Sequence, residues 1–292
     1  MQRIIVPIDF GAASDAALSY ARSLASRHDS TVVVVHVLPV TSYGVIYGEV
    51  VAIPPALMTR LEGFQEERAR KRIEEKLHDF GLDSFRSAIR LMRGDVADAV
   101  LEVATIDDFI VLGANQRHLA RPGLGEELCR KSPCPILACH ASDSPGAATP
   151  AFRHGVIAVD GSDLASDVAT AASKIVANDG ALELVHVIDP SPVHHVGTDM
   201  SGAPASPSAD AAKATGDTVR AFEDWITDLE LGVESSGYIA SEPPAQAVLE
   251  RAVVTEADFI ACGAHHGPES APLGLAEILI RHAPIPVLVV NR

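Results

Sequence analysis

Short apolar runs alternate along the chain with longer segments whose apolar positions recur at helical spacing. In the first half, residues 3–8 form such a run, and residues 12–27 follow with an apolar stripe. Thr31–Leu38 is almost continuously β-branched, the pattern of a strand buried on both faces. Residues 55–80 read as a long amphipathic helix stopped at Gly81, a residue suited to a helix C-terminus. Residues 85–91 alternate as a strand, 96–105 read as a helix, 109–112 as a strand, 124–130 as a short helix and 135–139 as a last strand. This order predicts a doubly wound parallel sheet with helices on both faces. Residues 40–54 and 191–208 are expected to be longer loops beside the carboxyl ends of the strands, where open α/β sheets bind ligands.

The pattern then repeats. Ile4 to Phe10 (IIVPIDF) returns as Val156 to Ser162 (VIAVDGS), and Val35-His36-Val37 returns as Val185-His186-Val187. Asp108-Phe109-Ile110 returns as Asp258-Phe259-Ile260, Gly113-Ala114 as Gly263-Ala264, and Pro133-Cys134-Pro135 as Pro284-Ile285-Pro286. The shift is 150 or 151 residues throughout, which is a duplication rather than chance similarity of apolar runs. The reading is two tandem domains, 1–140 and 152–292. A linker over 141–151, rich in Ala, Ser, Gly and Pro, joins them.

Composition narrows the class. The chain is 47% hydrophobic but only 4% aromatic, so aliphatic side chains and alanine must fill the interior. A net charge of −16 argues against nucleic acid and anionic membranes as partners. The densest basic stretch, 68–76, is interleaved with glutamates and reads as a solvated helix face with i,i+4 pairs. No apolar stretch approaches the ~20 residues that span a bilayer, and Met1 leads directly into a strand-like run with no signal-peptide pattern. Cys129, Cys134, Cys139 and Cys262 divide three to one between the halves and are expected to be small core residues. These features indicate a soluble, reduced, cytoplasmic protein.

Candidate chemistry gathers at the strand exits. Asp9 and Asp160 each end a strand just before a helix. There a carboxylate either caps the helix or accepts a hydrogen bond from a purine amino group or a ribose hydroxyl. Gly113 and Gly263 stand at the fourth strand exits, where glycine either permits a sharp turn or lets backbone amides approach phosphates. The pairs His194-His195 and His265-His266 raise a zinc site, but adjacent residues seldom face one ion, and no metal is expected. Neither a G-x-S-x-G elbow nor a Walker A loop is present.

Taken together, IIVPIDFGAASDAALSYARSLA, VVVVHV, DDFIVLGA and CRKSPCPILAC look like a universal stress protein domain. The second half resembles it again in VIAVDGSDLASDVATAAS, LELVHV, ADFIACGAHHG and ILIRHAPIPVLVV. The resemblance implies an adenine-nucleotide-hydrolase-like, Rossmann-like α/β fold with five parallel strands per domain. It also implies pairing of domains through their last strands, here within one chain, with whole chains able to dimerise further. Many members of that family bind ATP, with an Asp after the first strand near the adenine and a G-x2-G-x9-G-[S/T] loop on the phosphates. The implied contacts are Pro7, Asp9, Val37, Gly113, Gln116 and Gly123 in the first half. In the second they are Asp160, Val187, Gly263, His266, Gly267 and Gly274.

The phosphate loop departs from the family pattern. Gln116 and His266 stand where the second glycine belongs, and Gly267 is one position late. Ten residues beyond them stand Glu126 followed by Glu127, and Ala276 followed by Glu277, acids that would repel a triphosphate. Arg117, Arg121, His265 and His266 are candidates to compensate. Asp160-Gly161-Ser162 and Gly267 make the second half the favoured binder. The leading expectation is a stress protein that works by binding, with ATP or AMP as ligand. The alternatives are an interaction protein of the same fold and a weak ATP hydrolase.

Overall fold

The computed structural model describes residues 1–39, 43–46, 49–52, 54–83, 85–114, 123–141, 152–188, 209–264 and 274–291. The first half runs β1 (Arg3–Pro7), α1 (Ala12–His28), β2 (Thr31–Leu38), β3 (Tyr43–Ile46), β4 (Glu49–Ala52), α2 (Pro55–Asp79), β5 (Ser87–Arg93), α3 (Val96–Val103), β6 (Phe109–Ala114), α4 (Leu124–Lys131) and β7 (Ile136–His140). The second runs β8 (Phe152–Val159), α5 (Asp163–Ile175), β9 (Val176–Val187), α6 (Ala209–Asp228), β10 (Glu234–Ala240), α7 (Pro244–Val254), β11 (Phe259–Ala264), α8 (Leu275–His282) and β12 (Val287–Asn291).

Among the described residues ten of these strands form one sheet, in the order β10-β9-β8-β11-β12-β7-β6-β1-β2-β5. Each half contributes five parallel strands, and each reverses its winding beside its first strand, between β1 and β6 and between β8 and β11. The halves meet where β12 pairs antiparallel with β7, Leu288 opposite Leu137 and Val287 and Val289 opposite Ala138 and Ile136. Leu137 and Leu288 are repeat equivalents, so the seam is symmetric about that pair. The Asn291 amide donates across it to the Ser132 carbonyl at 2.9 Å.

Alternation of buried side chains splits the interior into two layers. Ile4 and Val6 pack on one face beneath α1 and α2, with Leu18, Leu24 and Ile73. Ile5 faces the other layer, with Val100 of α3 and Leu128 of α4. Both layers run through the two halves, and Tyr20 of α1 stacks on Phe152 of β8 with ring centroids 5.1 Å apart. All four cysteines are buried and free.

Two local expectations are corrected, and a third is not tested. Residues 43–46 and 49–52 form an antiparallel hairpin instead of an irregular loop, because β-branched residues flank a Tyr-Gly pair. The expected loop at 191–208 lies outside the described residues. The basic stretch of α2 is not simply a solvated face: Lys76 donates to both carboxylate oxygens of Asp15 at 2.7 Å, and Arg72 lies 4.0 Å over the Phe10 ring. Two further ion pairs of α2 also leave the helix, joining Glu62 and Glu66 to Arg93 of β5.

The repeated Asp-Phe-Ile motif anchors the first strand of each half from below. The Asp108 carboxylate accepts from Arg3 Nε at 2.8 Å and from the Thr105 amide at 2.7 Å. Asp258 accepts from the amides of Arg153 and His154 at 2.7 and 2.8 Å. Burial pushes Asp108 upward, but the Arg3 and Thr105 hydrogen bonds outweigh it and hold the group below its usual range. A lowered folded-state pKa stabilises above the ordinary carboxylate pKa, and the stabilisation is lost as pH falls through it. Asp108→Asn is therefore expected to cost roughly 2–3 kcal/mol at neutral pH, below the cost of breaking a fully buried pair because Arg3 is partly solvated. Urea melts of parent and variant should converge only once pH has fallen below the ordinary carboxylate range, where the parent's own Asp108 at last becomes protonated.

Candidate functional site

Two cavities open at the carboxyl ends of the strands, one per half, at the points where the winding reverses. The first, of about 720 Å³, is bordered by Pro7, Asp9, Val37, Gly113 and Gly123, together with His36 and Glu126. The second, of about 460 Å³, is bordered by Asp160, Val187, Gly263 and Gly274, together with His186 and Glu277. Every expected contact that lies among the described residues is thus brought to one of the two cavities. Gln116, His266 and Gly267 lie outside the described residues, as do Arg117, Arg121, His265, His194 and His195.

Neither aspartate caps its helix; both sit two residues ahead of the N-cap. Asp9 Oδ1 accepts from the Gly11 amide and the Ser14 hydroxyl, each at 2.8 Å. Asp160 Oδ1 accepts from the Ser162 amide at 3.0 Å. These turns leave both carboxylates exposed at the cavity rims. The turn requires a left-handed residue directly after the aspartate. Gly161 supplies it in the second half at φ 77°, whereas Phe10 holds it in the first at φ 64°. Phe10 is fixed between the Arg72 guanidinium and the His36 ring, whose centroid is 4.7 Å away. His36 Nδ1 in turn donates to the Ile8 carbonyl at 2.8 Å, and His186 repeats the contact to Val159 at 3.1 Å.

Gly113 and Gly263 do not make the sharp turns considered for them. They lie inside β6 and β11, where a helix comes too close for a side chain. A Cβ at Gly113 would stand 2.4 Å from the Ala13 carbonyl carbon, and one at Gly263 would stand 2.6 Å from Leu164 Cδ2. In the first half the obstacle is backbone; in the second it is the end of a side chain.

Glu126 and Glu277 take the place where a phosphate-binding helix start was expected. Gly123 is the N-cap of α4 and its amide donates to Glu126 Oε2 at 3.2 Å. Gly274 caps α8 and its amide donates to Glu277 Oε2 at 2.7 Å. Both carboxylates are buried, and each is paired with an arginine of the opposite half. Arg281 Nε and Nη2 reach Glu126 at 2.9 Å each, and Arg130 Nε reaches Glu277 at 2.8 Å. Arg281 therefore borders the first cavity and Arg130 the second. These arginines were missed in the sequence, although the repeated Glu-x3-Arg (Glu126/Arg130 and Glu277/Arg281) was there to be found.

Cys129 borders the second cavity, Cys262 is buried in β11, and neither thiol suits nucleophilic chemistry. Burial pushes the Cys262 thiol up to about 12, and burial with the neighbouring acids raises Cys129. Among the described residues no group of three or more His, Cys, Asp or Glu is arranged to hold a metal ion. No helix among them is long and apolar enough to cross a membrane.

Comparison with known proteins follows the same division. The model of the universal stress protein family matches residues 1–140 and again 151–291. No curated protein sequence matches. A universal stress protein from Archaeoglobus fulgidus DSM 4304 shares the architecture at 18% identity and a TM-score of 0.70, over 99% of this chain and 98% of that one. A putative universal stress protein from Pseudomonas aeruginosa UCBPP-PA14 does so at 13% identity and a TM-score of 0.60, over 100% and 93%.

The two strand glycines give a test of this packing. Gly113→Ala is expected to destabilise by roughly 3 kcal/mol or more, because the α1 backbone must move. Gly263→Ala should cost about 1 kcal/mol, because Leu164 can change rotamer. Thermal and urea denaturation of the two variants, compared side by side, checks the order.

Proposed function

The chain belongs to the universal stress protein family, and on that premise we propose that it works in the stress response by binding an adenine nucleoside or nucleotide in its strand-end cavities. The observation that supports this reading most is the recurrence of one constellation in both halves: an exposed aspartate, a histidine-braced strand exit and a cavity of ligand size. The apolar strand ends suit a purine ring. Asp9 Oδ1 already accepts two hydrogen bonds, and its Oδ2 receives none among the described residues, leaving it for a ribose hydroxyl or exocyclic amine. The sequence favoured the second half, but the larger cavity belongs to the first.

The free buried cysteines fit a reduced, cytoplasmic setting. Since β7 and β12 pair with each other, dimers of whole chains would have to use other surfaces. The filled starts of α4 and α8 favour one second reading, an interaction protein of the same fold that takes no nucleotide.

Titration calorimetry of the full chain with adenosine, AMP and ATP separates the two readings. Adenine compounds are expected to bind, and Asp9→Ala or Asp160→Ala should weaken binding about 10-fold to 100-fold by removing a charged hydrogen-bond acceptor. Absence of heat with every compound, and of any adenine compound released on denaturation, would leave the interaction protein. Phosphate release from ATP and Mg²⁺ that depends on either aspartate would establish an enzyme instead.

A further inference from the structure

The crossed carboxylates bear on which member of that ligand series the cavities accept, an inference that rests on the nucleoside reading above. In each half one glutamate borders the cavity, accepts the free amide at a helix start and neutralises an arginine from the other half. Those are two interactions that a phosphate group at this position would need for itself, amide donors and a guanidinium. The N-cap amide and the guanidinium are already used by an anion that belongs to the chain. We infer that Glu126 and Glu277 act as built-in substitutes for a ligand phosphate, so that the cavities select an uncharged nucleoside over its di- and triphosphates.

The burial of the four groups supports this. The side chains of Glu126 and Glu277 are 10% and 8% exposed, and those of Arg281 and Arg130 are 21% and 12%. A carboxylate held that far from water, with its counter-charge fixed, cannot swing aside without breaking a poorly solvated ion pair. If it stays, the phosphate chain meets a negative charge at close range in a poorly screened setting. The arrangement is the same in both halves, so the selectivity applies to both cavities even though their volumes differ.

Calorimetric titration with adenosine, AMP, ADP and ATP tests the inference on the unaltered protein. Affinity is expected to stay level or fall as phosphates are added. ATP binding at least ~10-fold tighter than adenosine would overturn it. The double variant Glu126→Gln with Glu277→Gln supplies the second arm, since glutamine at the third helical position can still accept the N-cap amide. Loss of the two charges removes the carboxylates that neutralise Arg281 and Arg130, and the ratio of ATP to adenosine affinity is expected to rise at least ~10-fold. An unchanged ratio in a folded variant would overturn the inference. Should no compound bind the unaltered protein, the nucleoside reading fails by itself. The variant then decides separately: newly acquired ATP binding supports the carboxylate block, and none refutes it. A variant that does not fold leaves the decision to the first series.

Discussion

The antiparallel pairing of β7 with β12 is the contact on which the rest of the molecule depends. Without it each half would be a five-stranded sheet with an apolar edge strand open to other chains. With it the two edges satisfy each other and both core layers continue across the seam. The pairing also brings α4 against α8 near the symmetry point. Gly125 permits that approach, since a Cβ there would already stand 3.3 Å from Ile280 Cγ2. Only at this spacing can Arg130 and Arg281 reach the carboxylates of the opposite half. The cavities are thus composite, each walled in part by the other half.

Duplication explains why the two sites are alike in plan and different in detail. Strand segments, an aspartate below the first strand and the His-to-carbonyl brace recur in both halves, although Asp108 holds Arg3 and Thr105 where Asp258 holds two backbone amides of β8. The first half keeps Ser14 on Asp9 and a left-handed Phe10 under Arg72, where the second has Ala165 and Gly161. The first rim places Ser14 and Phe10 where the second has an alanine and a glycine.

Much of this was legible in the sequence because strand and helix periods dominate a buried α/β sheet. The element order, the duplication and the gathering of Asp9, Gly113, Asp160 and Gly263 at the strand exits all follow from local pattern. The hairpin at 43–52 was missed because a glycine-bearing interruption reads as a loop until its β-branched flanks are paired. Gly113 was read through ligand or turn chemistry, whereas the demand on it comes from the backbone of a helix about 100 residues earlier. The Glu-x3-Arg spacing would ordinarily signal a pair within one helix. Exchange of partners between α4 and α8 is a tertiary fact, invisible to any reading that takes one half at a time.

If the seam makes the two halves one structural unit, they must open together. Native-state hydrogen exchange, followed amide by amide, tests this most directly. The expected result is that β7 and β12 share the slowest exchange, with core strands β1 and β8 opening at the same free energy. Exchange of the β8–β12 strands through a separate, cheaper unfolding event, while β1, β2, β6 and β7 stay protected, would contradict it.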